Sequence, residues 1–219
     1  ISHMGYLKRT PLAEYRTQNR GGVGVKGSAT RDEDFIEHMY VTSMHNTMMF
    51  FTEKGRCYWL KVYQIPEGTR SSKGRAIQNV IQIEPDDKVR AYINVRHLND
   101  KEYVENNFII MCTKEGLIKK TKLEAYSRPR QNGVNAITIK DGDQLLNVAL
   151  TSGNAEVMIA SREGKAIRFP ENIVRPVGRT AAGVKGITIE DGNEVVSMVC
   201  VEPDDKKDIL VLSENGYGK

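Results

Sequence analysis

Between Gln18 and Gly27 the chain reads QNRGGVGVKG, placing Arg20 and Lys26 among four glycines with no acid in the stretch. Glycines let a backbone pass close to a ligand, and exposed amides add to the field of nearby cations, so the stretch suits an anion. Similar loops recur as SSKGRAIQNVI, PRQNGVNAITI and TAAGVKGITI, with Arg70, Lys73 and Arg75, then Arg128 and Arg130, then Arg179 and Lys185 in or beside them. A nucleotide pocket does not fit. GRTAAGVKG at 178–186 puts Val184 where a P-loop needs its lysine and has no hydroxyl after Lys185. A G-x-G-x-x-G turn needs a helix behind it, whereas each of these loops runs into a β-like segment. An extended polyanion is the better match.

Such loops need a scaffold, and the chain builds one by repetition. MMFFTEKGRCYWLK (48–61), FIIMCTKEGLIKKTK (108–122), EVMIASREGKAIRF (156–169) and ILVLSENGYGK (209–219) share one form: an apolar run, a polar turn with glycine, and a second strand-like run. The opening ISHMGYLKR fits the same register. The turn glycines Gly5, Gly55, Gly116, Gly164 and Gly216 recur at a period of ~50 residues. Glycine supplies the positive φ that a tight hairpin needs. A basic glycine loop, a strand, an acidic turn and another strand follow each hairpin.

This predicts an all-β fold of four-stranded blades, with units at about 1–47, 48–107, 108–155 and 156–208 and the start of a fifth at 209–219. About four blades of a longer radial array are expected. Helix-period stretches are short; LNDKEYVENN, near 98–107, is the best candidate and explains the longest interval. Phe50, Tyr58, Trp59 and Tyr63 read as blade packing.

Composition excludes other classes. There is no apolar run long enough to span a bilayer and no secretory leader, so the reading is cytoplasmic. Cys57, Cys112 and Cys200 lie too far apart for a C-x-x-C site and read as small hydrophobes. The four histidines are scattered, and no metal or catalytic constellation is predicted.

Net charge is +4, but the charges are segregated. From Gly5 to Gly27 the acid Glu14 faces Lys8, Arg9, Arg16, Arg20 and Lys26, while acids collect in EPDD at 84–87 and 202–205. If blades are radial, equivalent loops share a rim and their cations join into a belt. Duplex DNA, with one charge per ~1.7 Å, suits such a belt. Lys120 and Lys122, alternate residues of one strand, are expected on a common side with Lys119 opposite; Arg168 and Arg175 add to the belt. Asp86, Asp87, Asp204 and Asp205 are expected on another edge, repelling phosphate.

Repeat and loop together resemble the C-terminal domain of the A subunit of DNA gyrase, over essentially the whole chain. The family's box runs Q, basic, basic, G, G, basic, G. Gln18, Arg20, Gly21, Gly22 and Gly24 match it, Asn19 and Val23 depart from it, and Lys26 and Gly27 lie just beyond. The resemblance implies a six-bladed β-pinwheel whose neighbouring blades exchange strands and around whose rim duplex DNA bends. It implies an A2B2 partnership with the B subunit plus the rest of the A subunit, where the cleaving tyrosine, ATP and Mg are used. No tyrosine here, Tyr15 and Tyr126 included, inherits the cleaving role. The corresponding domain of topoisomerase IV and a propeller-like protein scaffold are the alternatives.

Overall fold

A computed structural model of the chain describes every residue except Arg16, Val25 and Lys207. Its strands, in chain order, are β1 (Tyr6–Leu7), β2 (Thr47–Thr52), β3 (Arg56–Lys61), β4 (Arg75–Ala76), β5 (Val89–Val95), β6 (Phe108–Thr113), β7 (Leu117–Lys122), β8 (Val134–Asn135), β9 (Leu145–Thr151), β10 (Glu156–Ser161), β11 (Ala166–Pro170), β12 (Val184–Lys185) and β13 (Val195–Val201). The expected helix is α1 (Lys101–Asn106), capped where the Asp100 carboxylate accepts the Tyr103 N–H at 3.0 Å.

One turn chemistry starts every hairpin. Gly5, Gly55, Gly116, Gly164 and Gly216 all have φ between 80° and 84°. Each glycine N–H donates, at 2.9–3.1 Å, to the carbonyl three residues back, which belongs to Ser2, Thr52, Thr113, Ser161 or Ser213. In four of the five, that residue's hydroxyl also accepts the N–H just after the glycine: Tyr6, Arg56, Leu117 and Tyr217, at 3.1–3.2 Å. A short hydroxyl and a residue free to adopt positive φ, three positions apart, therefore specify the hairpin locally.

Within a unit, the hairpin's first strand pairs antiparallel with a long return strand: β2 with β5, β6 with β9, β10 with β13. The short strand after each of the last three glycine loops leaves its own unit. It pairs with the hairpin of the preceding one, β4 on β1, β8 on β3 and β12 on β7. Sequence order places that short strand inside its own unit, and the pairing shows the exchange that the family resemblance implied. Backbone bonds lock it: the Ile77 N–H donates to Gly5, Ala136 to Gly55 and Gly186 to Gly116, at 2.7–2.9 Å.

Central strands bury both faces, so alternate residues serve two different interfaces. Met48 and Phe50 join Leu7, Tyr58 and Ile77 between the first two units, whereas Met49 and Phe51 join Ile109, Met111 and Tyr126 between the second and third. Ile110 and Cys112 turn the other way, to Val157 and Ile159. Each such side chain contributes roughly 1.5–3 kcal/mol on burial, which holds successive sheets face to face. Of the aromatics expected in this packing, Tyr63 is the exception at 51% exposure, because its short 3-10 turn ends the hairpin and faces out.

The exchange depends on glycine where chains cross. A Cβ on Gly183 (φ 96°) would lie 2.5 Å from the Ile118 carbonyl oxygen, and one on Gly74 2.8 Å from that of Leu7. Gly24 has φ 78° but no atom within 4 Å of such a Cβ. Gly183→Ala is expected to cost about 3 kcal/mol, left-handed strain plus overlap, and Gly24→Ala only about 1 kcal/mol. Urea unfolding of the two variants checks this, and equal losses would show that the crossing is not tight.

Candidate nucleic-acid interface

The return strands β5, β9 and β13 lie side by side from unit to unit, so the opposite sheet edge, made by β4, β8 and β12, faces outward. The second, third and fourth glycine loops lead into those edge strands. Counting back four residues from Gly24, Gly74 and Gly183 reaches Arg20, Arg70 and Arg179. In all three loops the same turn encloses that arginine: the N–H of Gly22, Ser72 or Ala181 donates to the carbonyl of Asn19, Thr69 or Gly178 at 3.0–3.2 Å. The third loop has Pro129 at the arginine position, and its turn shifts by two, the Gly133 N–H donating to the Arg130 carbonyl at 3.0 Å. There the charge is carried by Arg128 and Arg130, both exposed.

The first loop touches the second, and the third touches the fourth. The Ala29 N–H donates to the Arg70 carbonyl at 2.7 Å, and Thr138, at the equivalent place in the third unit, donates through its hydroxyl to the Thr180 carbonyl at 2.7 Å. In the first loop the Gln18 Oε1 accepts the Gly24 N–H at 2.8 Å, and the Tyr15 hydroxyl donates to the Gly27 carbonyl at 2.9 Å. Gln18 thus closes the box-like turn on itself, while Asn19, Gly21, Gly22 and Val23 form its exposed crest.

Of the candidate cations, Arg20, Lys26, Lys73, Arg75, Lys122, Arg128, Arg130, Arg175 and Lys185 are exposed, and Arg70 and Arg179 half-buried. None of these has an acidic side-chain partner among the described residues. Arg16 lies outside the described residues. Four others are engaged within the protein. Arg9 pairs with Glu67 at 2.6 Å, Arg168 with Glu156 at 3.0 Å, and Lys8 donates to three backbone carbonyls. Lys120 corrects the sequence expectation most sharply: it is 4% exposed and paired at 2.8 Å with Glu171, which is fully buried. Strand alternation had set Lys120 beside Lys122, but Lys120 faces the next unit's sheet and only Lys122 reaches solvent.

The acids divide differently from the expectation as well. The first EPDD precedes β5 at the hairpin-tip end, and the second follows β13 at the opposite end of its sheet, so the two share no edge. Asp87 is 2% exposed and accepts the Lys54 and Lys88 N–H groups at 3.2 and 2.9 Å. Asp143 does the same for Glu115 and Gln144 at 3.0 and 2.8 Å. These aspartates clamp the neighbouring hairpin tip and do not face an incoming phosphate. Other acids at that end, Asp86 and Glu190 exposed and Glu194 half-buried, instead neutralise tip lysines: Asp86 on Lys54 at 2.5 Å, Glu194 on Lys114 at 3.6 Å, and Glu190 on Lys165. Lysines at the tips are therefore paired with acids, while the cations of the outer loops are not; Arg56, just after Gly55, instead donates to the Asn132 carbonyl at 2.7 Å.

Lys119 is buried and donates to the carbonyls of Ala136 (2.6 Å) and Arg179. Burial, with the Arg179 guanidinium second, brings its ammonium down to about 8. From there up to the ordinary lysine value the folded chain holds fewer protons at this site than the unfolded chain. Stability is therefore expected to rise with pH across that interval, and Lys119→Met to remove the rise, in urea titrations at stepped pH. Burial likewise pushes the Cys112 and Cys200 thiols up to about 12, as suits hydrophobes and not nucleophiles. Among the described residues no cluster of three or more His, Cys, Asp or Glu is placed to hold a metal, and no helix is long and apolar enough to cross a membrane.

The family model described as DNA gyrase C-terminal domain, beta-propeller matches residues 1–43, 46–94, 107–152 and 155–202. The chain belongs to that family. In this DNA gyrase C-terminal domain, three of the matched segments open one residue before β2, β6 and β10. The domain is 44% identical over 219 residues to the DNA gyrase A subunit of Staphylococcus aureus (strain NCTC 8325 / PS 47), covering 100% of this chain and 24% of that protein. It thus spans about a quarter of the curated relatives it matches. Among solved structures, the C-terminal domain of DNA topoisomerase IV superposes with a TM-score of 0.80 at 30% identity, covering 100% of this chain and 65% of that one. A DNA gyrase A C-terminal domain superposes at 0.71, with 24% identity and coverage of 100% and 68%, a likeness of fold.

The sequence reading missed the shared arginine register and the structural role of Lys119. Both signals were present, the first as an arginine four residues before three of the loop glycines, the second as a lysine three residues after the turn glycines Gly5 and Gly116.

Proposed function

We propose that this domain binds duplex DNA along its outer-edge loops with little base specificity and bends it, as the wrapping domain of a DNA gyrase. The observation that carries the reading is the division of charge: loop cations without acidic partners on the outer edge, acid-paired lysines at the hairpin tips. Phosphate-directed cations in turns position a duplex without reading its bases. The contacts assigned are Arg20, Lys26, Arg70, Lys73, Arg75, Lys122, Arg128, Arg130, Arg175, Arg179 and Lys185.

On this reading the bent duplex is presented for strand passage in negative supercoiling by an A2B2 enzyme of the bacterial cytoplasm and nucleoid. The remainder of the A subunit, together with the B subunit, supplies the tyrosine, ATP and Mg, and the domain itself needs no cofactor. A topoisomerase IV reading has the TM-score of 0.80 in its favour; the self-closed Gln18 turn and the 44% identity to a gyrase A subunit favour gyrase. Ligating nicked circular DNA with the domain bound tests the proposal. A shift toward positive linking number is expected. Salt-sensitive binding without a shift would favour topoisomerase IV, and no salt-sensitive binding at all would leave a protein scaffold.

A further inference from the structure

Two lysines, Lys8, which the sequence sets among the rim cations, and Lys119, which it sets opposite them, face inward under the loops. We propose that Lys8 and Lys119 are positioning residues that set the arginine turns of the rim by binding their backbone carbonyls. This rests on the reading of Arg70 and Arg179 as phosphate contacts. Each lysine is the third residue after its turn glycine, Gly5 or Gly116, and lies beneath the loop of the following unit. The Lys8 Nζ donates to the carbonyls of Thr69 (2.8 Å), Arg70 (3.1 Å) and Ser72 (2.7 Å), which brackets the turn around Arg70. An ammonium has three donors, so these carbonyls use them all and leave none for phosphate. Lys119 holds the matching carbonyl of Arg179. Charge-assisted bonds of this kind are roughly twice as strong as neutral ones, enough to fix one loop register.

The molecule contains its own control. In the second unit the third residue after Gly55 is Tyr58. A Cβ on Gly133 of the overlying loop would lie 2.7 Å from that ring, and there the turn forms two residues later, with Pro129 in place of the arginine. Where lysine lies below, the arginine turn forms; where tyrosine lies below, it does not. The first loop reaches the arginine register by another route, the Gln18 side chain on the Gly24 N–H.

The test combines Lys8→Met with Arg70→Ala and reads both loop order and DNA binding in the chain as it stands. Amide exchange at Ser72, measured without DNA, is expected to quicken at least about tenfold in Lys8→Met, with that of Ile110 in β6 unchanged as the check that the domain is folded. Duplex affinity should fall severalfold in Lys8→Met but change less than about twofold when Arg70 is already alanine, because the lysine acts through it. Lys8→Gln, neutral but still a donor, should fall between the wild type and Lys8→Met. Unchanged exchange at Ser72, additive losses, or Gln as damaging as Met would each overturn the proposal. Failure of the unsubstituted chain to bind DNA would sink only the wrapping reading, since exchange at Ser72 still decides the role of Lys8.

Discussion

Replacing Arg20, Arg70 and Arg179 together with alanine is expected to lower affinity for duplex DNA by on the order of several hundredfold at 0.1 M salt. The magnitude follows from counterion release: each phosphate contact contributes about 0.9 to the slope of log K against log salt, so three contacts are worth nearly 3 in slope and about eightfold each at that concentration. The three residues share a register, each occupying the same place in the same turn. A second set of cations serves as the control. Arg90, Arg162 and Lys165 are as cationic but are paired with Glu53, Glu194 and Glu190. Their joint replacement removes equal formal charge and should change the slope by less than about 1. Affinity and slope from fluorescence titrations at several salt concentrations decide between the sets. Equal effects would mean that net charge, and not loop position, governs binding.

The largest effect on stability is expected at Glu171. Its carboxylate is fully buried, accepts the Thr151 hydroxyl and the Ala155 N–H at 3.0 Å each, and pairs with Lys120 at 2.8 Å. Lys120 in turn stands 4.3 Å over the Phe108 ring and is buried. Glu171→Ala strands an ammonium in the interior, at a cost of roughly 3–5 kcal/mol. Adding Lys120→Met removes the stranded charge and fills its space, and should recover more than half of that loss. Urea unfolding of the two single variants and the double variant gives the coupling directly. A loss below about 1 kcal/mol in Glu171→Ala would show that water reaches the pair.

The lysines and arginines of these two experiments look alike in the sequence, and the difference between them is a matter of what each residue faces. Period-two alternation correctly separated Lys119 from Lys120, but alternation only says that neighbours point to opposite faces. In a lone sheet one of those faces would be solvent. Here sheets stack on both sides, so both lysines are buried, and only the chain end of β7 brings Lys122 into the open.

The sequence by itself determined whatever depends on contacts a few residues apart. The five hairpin turns follow from a hydroxyl residue and a glycine three positions on, and the helix from Asp100 and its short polar run. The tertiary structure decided whatever depends on partners from another unit. Val134 pairs with Cys57, Val184 with Ile118, and Ala76 with Tyr6, each far apart along the chain. Two-residue strands carry too little local signal to name those partners, and many pairings would satisfy their backbone groups equally well in isolation. The choice is made where Gly74, Gly133 and Gly183 admit a neighbouring strand that no side chain would allow, and where a lysine ammonium waits beneath two of the loops. Which cations are spent inside the fold and which are left for a polyanion is settled there, because charge pairing is a property of distance in space and not along the chain.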